Sequence, residues 1–390
     1  MRISKRQGIL LFVLLLRVTC FSQPILPQEK NLGNSYLNYS KLARYICSDS
    51  IGLLGNQSLL MLGELERILE NCDSVPINES LLEYLSSKKM NHLSITELFV
   101  RIADKPIVIL NEAHDRIKPR VFILNQLHLF KKLGFTHIAF ETVSNENRNL
   151  NGNTGLYTCE PVFGELYRKA VEYGFNILSY ESFDIKRDSM QAENLYSKIR
   201  KSDGTVYKTL VICGYGHLYE WYPTANQKMM GAYLKDISGV DPFTIDQVTY
   251  QEAECNEFKK TLFKALADTI ESVCYSSEEF DKTEMLPPLC DMYIVHPQTK
   301  WNNNRSTDYE LNGRRICYHY NLKKKKSILV QVYLKKEFTK TTIDNCVPTD
   351  QITVCNVSDP ILFLEKGKKY LIVERAINNS ILSRHKVKIR

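Results

Sequence analysis

The sequence has no long apolar run beyond its first residues, which excludes a membrane-spanning helix later in the chain. A helix needs about 20 consecutive, mainly apolar residues to cross a bilayer. The run from Gly8 to Leu16 is shorter than that, and Arg17 interrupts it. We therefore expect no transmembrane helix in the mature chain.

Closely spaced cysteine pairs are also absent, since none of the 11 cysteines stands in a C-x-x-C pair. This argues against a zinc-ribbon site. In an exported chain disulfides are permitted, and proximity along the chain suggests three pairs. These are Cys47 with Cys72, Cys274 with Cys290, and Cys346 with Cys355. Cys213 falls inside a predicted central strand, so we expect a buried free thiol there.

Residues 1 to 23 differ from the rest and predict a secretory signal peptide. Basic residues precede the apolar run, and small or polar residues follow it near a cleavage point at 20 to 24. The protein is expected to be exported, to the periplasm or out of the cell. Cys20 offers the alternative of a lipoprotein anchor.

Little net positive charge remains once that segment is set aside. Removing Arg2, Lys5, Arg6 and Arg17 from a formal charge of +7 leaves +3 for the mature chain. We therefore expect no nucleic-acid partner. The run Lys323 to Lys326 is explained most simply as a solvated loop between two strands.

Three patterns divide the mature chain. Residues 24 to 103 predict a linker and a helical cap, with helical spacing from Leu59 to Leu69 and a capping box at Ser94 and Glu97. Residues 104 to 314 alternate strands with helices, which is typical of a mostly parallel, doubly wound α/β sheet. They include a long helix from about 254 to 273 and a further apolar run from Met292 to Val295. Residues 315 to 390 carry short β-rich runs and predict a small antiparallel β-domain with an accessory role.

Ionisable side chains follow four successive predicted strands of the α/β domain. Glu112 and His114 come after the first strand, Glu141 after the second, Glu181 after the third and His217 after the fourth. Because the carboxyl ends of parallel strands meet at one edge of the sheet, these groups should share one site. Such a cluster suits general acid/base hydrolysis. It equally suits a Zn or Mn site with nitrogen and oxygen ligands.

Other polar residues could serve the same site. An arginine at 116 or 120 follows the first motif, while Arg187 and Asn194 belong to the helix after Glu181. Arginine binds carboxylates through two parallel hydrogen bonds, so Arg187 either holds a ligand or balances the buried glutamates. Arg120, Arg187, Glu181 and Asn194 are our predicted substrate-binding residues. His296, which ends a later apolar run, is a second-rank candidate.

These motifs resemble those of the erythromycin esterase/ChaN-like superfamily, to which the Tiki metalloproteases belong. Asn111-Glu112-Ala113-His114 resembles its Gly-Glu-x-His motif, with Asn111 where the family often has glycine. The helix from Arg187 resembles its Arg- and Met-bearing helix, and Gly214 to His217 its second Gly-x-x-His motif. The resemblance covers roughly residues 100 to 250.

The resemblance implies a fold and one of three activities. Esterase members use the first-motif histidine as general base, Tiki-like members cleave peptides with a metal, and ChaN-like lipoproteins bind haem. Carried over by motif, Glu112, His114, Glu141 and His217 form the core of the site. Arg120 and Arg187 support them.

Three hypotheses follow, of which the third is a cell-envelope scaffold whose site has lost activity. The first is an exported hydrolase of ester or amide bonds in a small-molecule or peptide ligand. His114 would be its base, oriented by Glu112 or Glu141, with His217 as acid or oxyanion partner; a metal-assisted form uses these four residues as Zn or Mn ligands. The alternative is a haem-binding protein of the cell envelope, with His217, Tyr215 or Tyr219 as iron ligand.

Overall fold

The computed structural model describes Tyr39, Ala43 and most of residues 55 to 390. The gaps in that range are 71–73, 89, 145, 147–149, 153, 220–227, 253–255, 268, 282–288, 338–342, 356 and 358. The predicted signal peptide, the linker after it and the Cys47 to Cys72 pair lie outside the described residues. Export therefore stays a prediction.

Helices open the described part of the chain. They are α1 Asn56–Met61, α2 Leu65–Glu70, α3 Glu79–Ser87 and α4 Ile95–Arg101. The predicted capping box is confirmed at α4, where the Ser94 hydroxyl accepts from the Glu97 amide at 3.2 Å and the Glu97 carboxylate accepts from the Ser94 amide at 2.7 Å.

The helix predicted from Leu59 to Leu69 is broken in two by Gly63. Its φ of +81° lies in the left-handed region, and a β-carbon there would lie 2.5 Å from the backbone oxygen of Gln351. Only glycine fits both demands. The chain turns at this point because it packs against the C-terminal β-domain.

Seven strands form the central sheet. They are β1 Ile107–Glu112, β2 His137–Phe140, β3 Asn176–Ser179, β4 Thr209–Gly214, β5 Phe243–Asp246, β6 Val273–Ser276 and β7 Met292–Val295. Their order is β3-β2-β4-β1-β5-β7-β6, and every neighbouring pair is parallel except β6 and β7.

Six helices accompany these strands in the described sequence. They are α5 Lys118–Lys132, α6 Pro161–Glu172, α7 Arg187–Ile199, α8 Met230–Ser238, α9 Glu257–Leu266 and α10 Ser277–Asp281.

Both faces of the sheet are covered, as the doubly wound prediction requires. Val108 and Leu110 of β1 join one hydrophobic core, to which α5 and α6 contribute, whereas Ile107 and Ile109 join the opposite core with α7, α8 and α9. Successive residues of a strand point to opposite faces. The apolar run of β1 is therefore buried on both sides, and its carboxyl end is the polar Asn111-Glu112.

The long helix predicted from about 254 to 273 is wrong at its end. Helix α9 stops at Leu266, and β6 begins at Val273 as the antiparallel edge strand. Four strand residues after a helix are too few to show an alternating pattern.

The C-terminal part forms antiparallel sheets, as predicted. Its strands are β8 Trp301–Asn302, β9 Arg305–Ser306, β10 Arg315–His319, β11 Leu329–Leu334, β12 Asp350–Thr353, β13 Ile361–Glu365, β14 Lys369–Arg375 and β15 Ile381–Lys388. Strands β10 and β13 pair, and a second sheet has the order β12-β11-β14-β15. Strands β8, β9, β13 and β15 are absent from the sequence prediction.

Buried contacts join the β-domain to the α/β domain. Leu329, Ile361 and Phe363 belong to the same hydrophobic core as Val108. Arg315 of β10 lies 3.4 Å from Glu165 of α6. The β-domain thus packs against the α/β domain on the side of the central sheet where α6 lies.

Two expected disulfides are wrong. Cys274 and Cys290 are both free thiols. Cys346 keeps its thiol, whose pKa burial raises to about 11, whereas Cys355 is disulfide-bonded. Cys213 is a buried free thiol, as predicted.

No helix in the described residues combines the length and apolar character needed to cross a bilayer.

Candidate functional site

Six predicted residues meet at the carboxyl ends of β1, β2 and β4 and in the segments that follow β3 and β4. We call this group the strand-end site; its members are Glu112, His114, Glu141, Glu181, Arg187 and His217. Arg187 contacts Glu181, His217 and Glu141. Glu112 and His114 contact each other at the end of β1. The sheet thus brings together residues up to 105 positions apart.

His114 is oriented by Glu112. Nδ1 of His114 lies 2.6 Å from Oε1 of Glu112, and both side chains are buried. Burial works to raise the pKa of Glu112, but the charges of Arg120 and His114 outweigh it and hold that pKa below its ordinary value. Because the carboxylate is ionised and only accepts, Nδ1 of His114 carries the proton. Nε2 then has its lone pair available for a proton.

Arg120 holds Glu112 and His114 in place through hydrogen bonds. Its side chain is 1 % exposed and donates from Nε to Glu112 at 2.7 Å, from Nη1 to Glu160 at 3.0 Å and from Nη2 to the His114 carbonyl at 3.1 Å. Glu160 also caps α6, accepting from the amides of Val162 and Phe163. The predicted substrate contact of Arg120 is therefore corrected: this guanidinium is enclosed by protein and positions Glu112 and His114.

Aromatic rings fix the plane of the imidazole. Tyr157 stacks on His114 with ring centroids 3.9 Å apart, and Tyr215 meets it edge-on at 4.9 Å. Together with the bond to Glu112, these contacts leave the ring one orientation, with Nε2 on the side of β4.

Gly214 lets His114 and Glu141 approach the end of β4. A β-carbon on this residue would lie 2.4 Å from Cε1 and 2.6 Å from Nε2 of His114, and 3.0 Å from Oε2 of Glu141. The Gly214 amide donates to Oε2 of Glu141. Nε2 of His114 and the Glu141 carboxylate therefore face the same small space, which any larger residue at 214 would fill.

Arg187 connects the remaining members of the strand-end site. It donates to both carboxylate oxygens of Glu181 at 3.0 Å, to Oε1 of Glu141 and to Nε2 of His217 at 2.9 Å. Burial works to raise the pKa of Glu141, but His217, Arg187 and His114 lower it to about 2. With its side chain 32 % exposed, Arg187 reaches solvent.

Glu181 and Asn194 are hydrogen-bonded to neighbouring protein groups, and their predicted substrate contacts stay predictions. Glu181 is enclosed, accepting from Arg187, from Gln191 at 2.8 Å and from the amides of Thr142 and Ser182. The Asn194 amide group donates to the carbonyls of Tyr180 and Glu181 at 3.4 and 3.3 Å. Both residues hold the backbone after β3 and the Arg187 side chain in place.

His217 is held between an acid and a base. Nδ1 lies 2.6 Å from Oδ1 of Asp188, which also accepts from the Met230 amide at 2.9 Å. Burial works to lower the pKa of His217, but Asp188 and Glu141 raise it overall. In the observed arrangement Nε2 accepts from Arg187, so Nδ1 carries the proton toward Asp188. A proton on Nε2 requires Arg187 to turn away.

Two residues at the strand-end site have left-handed backbone. Thr142, directly after Glu141, has φ of 58°, and Tyr215, directly after Gly214, has φ of 44°. A β-branched residue such as threonine rarely adopts this conformation, and each case costs about 1 to 3 kcal/mol. The strain lies where the chain turns sharply off the two strands that carry Glu141 and Gly214.

Asn111 has a structural role that explains its place in the first motif. Its amide group donates to Asp246 at 2.9 Å and to the Tyr215 carbonyl at 2.7 Å, and its side-chain oxygen accepts from the Gln247 amide at 2.7 Å. Asn111 therefore ties the end of β1 to the ends of β4 and β5, which glycine could not do.

The four predicted metal ligands do not form a metal site as arranged. Among the described residues, no group of three or more His, Cys, Asp or Glu side chains could hold a metal ion. Each carboxylate oxygen of Glu112 and Glu141 already accepts from a nitrogen of His114, Arg120, Arg187 or Gly214.

The predicted haem ligands are engaged in the same way. Nε2 of His217 accepts from Arg187, and the Tyr219 hydroxyl lies 3.2 Å from Asp246. Tyr215 packs edge-on against His114. The contacts of His217 and Tyr219 do not fit an axial iron ligand.

Three contributing residues are missing from the sequence-based site. Asp188 directly follows Arg187 in the sequence, and this position was the signal that could have identified it. Glu160 precedes Pro161 as a helix cap, a local pattern that does not reveal its bond to Arg120. Tyr157 contacts His114 only through tertiary packing, and no sequence signal identifies it.

Comparisons with known proteins add no family to this description. No protein-family model matches the chain, and no curated protein matches it. One matching solved structure is described as "Crystal structure of bacterial protein toxins"; it is 13% identical to this chain, with a TM-score of 0.32. The match covers 46% of this chain and 41% of that one, about two fifths of its length. A likeness of that size carries no argument about fold or activity.

Proposed function

We propose that this protein is a hydrolase of ester or amide bonds that uses His114 as its general base. The observation that carries the proposal is the Glu112 to His114 contact of 2.6 Å, locked by the buried Arg120. A carboxylate that orients an imidazole and fixes its tautomer is the arrangement that general-base catalysis requires. The resemblance of Asn111-Glu112-Ala113-His114 to the Gly-Glu-x-His motif of the superfamily supports the same proposal.

The chemistry needs a free nitrogen on the imidazole. Nε2 of His114 bonds to no group in the described part of the chain, while Nδ1 is committed to Glu112. A water molecule can give its proton to Nε2 as its oxygen attacks the carbonyl carbon of the substrate. When the tetrahedral intermediate collapses, the bond to the leaving oxygen or nitrogen breaks, and that atom takes the proton from Nε2.

Arg187 is the group best placed to stabilise the oxyanion of that intermediate. It is permanently charged, partly exposed and fixed by Glu181 and Glu141 on one side and by His217 on the other. Fixed charges aimed at a developing negative charge supply much of the rate enhancement in such reactions. His217 and Asp188 then act through Arg187 as positioning residues.

A panel of p-nitrophenyl esters and p-nitroanilides tests the proposal. We expect the purified chain to hydrolyse at least one class of substrate, before and after treatment with a chelator. Substituting His114→Asn should lower kcat/KM by about 10² to 10⁴ without loss of fold, the range for one general base. His385→Asn, at an exposed histidine of β15, is the matched control and should keep full activity.

Two results would contradict the proposal. One is the absence of hydrolysis across both substrate classes. The other is hydrolysis that persists in the His114→Asn variant. Activity that vanishes on chelation and returns with Zn or Mn would instead favour the metal-assisted alternative.

A further inference from the structure

An oxyanion at the strand-end site needs more hydrogen-bond donors than Arg187 can supply alone. The Arg187 guanidinium directs its Nε–H and both N–H groups of Nη2 at Glu181 and Glu141, and one N–H of Nη1 at Nε2 of His217. Within the described part of the chain, a single N–H on Nη1 is then left for a substrate. The oxyanions of acyl-transfer intermediates are commonly held by more than one donor.

Two backbone amides at the strand ends are also committed. The Gly214 amide donates to Glu141, and the Thr142 amide donates to Glu181 at 3.1 Å. Backbone amides often supply the oxyanion donors of acyl-transfer enzymes. Here these two amides bind the carboxylates instead, so a further donor has to come from another group beside His114.

The hydroxyl of Tyr157 is such a group. The Tyr157 ring lies on the His114 ring with centroids 3.9 Å apart and an angle of 25° between the planes, and the residue is 9 % exposed. Buried tyrosine hydroxyls usually find a partner, as that of Tyr180 does by donating to the Ile212 carbonyl at 2.7 Å. The Tyr157 hydroxyl has no hydrogen-bond partner among the described residues, yet it is not one of their fully buried polar atoms without a partner. It therefore keeps contact with solvent beside the imidazole.

The charges of the strand-end site act on this hydroxyl. Burial raises the pKa of Tyr157 well above its ordinary value, Glu141 and Glu112 raise it further, and Arg187 works to lower it. The phenol therefore keeps its proton near pH 7, and it can donate a hydrogen bond to a negatively charged oxygen.

We propose that Tyr157 is a further catalytic residue of the strand-end site, whose hydroxyl donates to the oxyanion of the tetrahedral intermediate beside the remaining N–H of Arg187. This inference rests on the proposed hydrolase function. Stacking on His114 holds the hydroxyl close to the base that activates the water. The hydroxyl keeps its proton throughout, so the proton transfers through Nε2 of His114 are unchanged.

The variant Tyr157→Phe tests the hydroxyl alone, because phenylalanine keeps the ring that stacks on His114. We expect kcat for the preferred p-nitrophenyl ester or p-nitroanilide to fall by about 10² to 10³, the effect of removing one oxyanion donor. KM should change little, since this hydrogen bond strengthens only as the oxyanion develops. Stability in urea should also change little, because the hydroxyl bonds to no described protein group.

The matched control is Tyr207→Phe. Tyr207 packs on His137 with ring centroids 4.4 Å apart, at the opposite edge of the sheet where β2 begins. This variant also removes one hydroxyl from a tyrosine that packs on a histidine. It should keep the kcat of the wild type.

A phosphonate monoester provides a readout without turnover. Its anionic, tetrahedral phosphorus centre replaces the carbonyl carbon of the preferred substrate and resembles the intermediate, so donors to the oxyanion favour it over the substrate. Tyr157→Phe should weaken inhibition by this compound by about the factor by which it lowers kcat/KM. Tyr207→Phe should leave inhibition unchanged.

Several results would overturn the inference. They are wild-type kcat in Tyr157→Phe, a loss confined to KM, and unchanged inhibition by the phosphonate. If Tyr157→Phe stays fully active while Tyr157→Leu does not, Tyr157 acts only by stacking on His114. With an active wild type and a slow His114→Asn variant, each of these results leaves the proposed function standing. Absence of hydrolysis, or activity that persists in His114→Asn, defeats the proposed function and this inference together.

Discussion

Substituting Gly214→Ala should disable the strand-end site while leaving the fold intact. The backbone at this residue is extended, with φ of -87° and ψ of 144°, so alanine adopts it without strain. The new β-carbon would lie 2.4 Å from Cε1 of His114. Carbon atoms in ordinary contact are about 3.5 to 4.0 Å apart, so either the ring or the strand must move by about 1 Å.

The ring cannot move freely, because Tyr157 and Glu112 fix it. A shift of about 1 Å in a catalytic group costs on the order of 10²-fold in rate, so we expect kcat/KM for the preferred ester or anilide to fall by about that factor. Overpacking typically costs about 1 to 3 kcal/mol of stability, which urea unfolding would measure.

The matched control is Gly55→Ala. Gly55 also has extended backbone, and no atom lies within 4 Å of the position that its β-carbon would take, so alanine should change neither rate nor stability much. Wild-type turnover by the Gly214→Ala variant would refute the inferred closeness of His114 to β4.

Three further predictions concern charge. Substituting Arg120→Met leaves Glu112 and Glu160 buried without their common partner, and should cost about 3 to 5 kcal/mol in urea unfolding. The control Arg67→Met removes a partly exposed pair with Glu64 and should cost under about 1 kcal/mol. The pKa of Glu141 is lower in the folded chain, at about 2, than its ordinary 4.5, so its carboxylate stabilises the fold above about pH 4.5 and loses this effect as the pH falls toward 2. Glu141→Gln should therefore destabilise the protein at pH 7, with the deficit shrinking across that window in unfolding experiments; a constant deficit would contradict the argument. Asp188→Asn removes the largest attraction that raises the pKa of His217, so NMR titration should show that pKa falling, and an unchanged value would exclude Asp188 as its cause.

Much of the fold follows from local pattern. The apolar run before Glu112, the proline at the start of α5 and the glycine after it identify a strand and a helix without tertiary information. The edge strand β6 cannot be identified in this way. Val273 to Ser276 is too short to show an alternating pattern, and it forms a strand because it pairs with β7. Gly63 breaks a helical pattern because it packs against the backbone oxygen of Gln351, which is far away in the chain.

The strand-end site divides in the same way. Parallel strands end at one edge, so Glu112, His114, Glu141 and His217 could be grouped from sequence. The sequence could not show which charged residue faces solvent. Arg120 and Arg187 are equivalent in the sequence, yet one is enclosed by Glu112 and Glu160 and the other is partly exposed. That difference depends on helix packing, and it decides which arginine can meet a substrate.

The most direct test of the account is a double-mutant cycle on Glu112 and His114. If Glu112 acts only by orienting His114, Glu112→Gln lowers kcat/KM in the wild type but has little further effect once His114→Asn is present. The account predicts that the double variant is about as slow as His114→Asn alone. Losses that multiply independently would contradict it, because they would mean that Glu112 and His114 do not work as one unit.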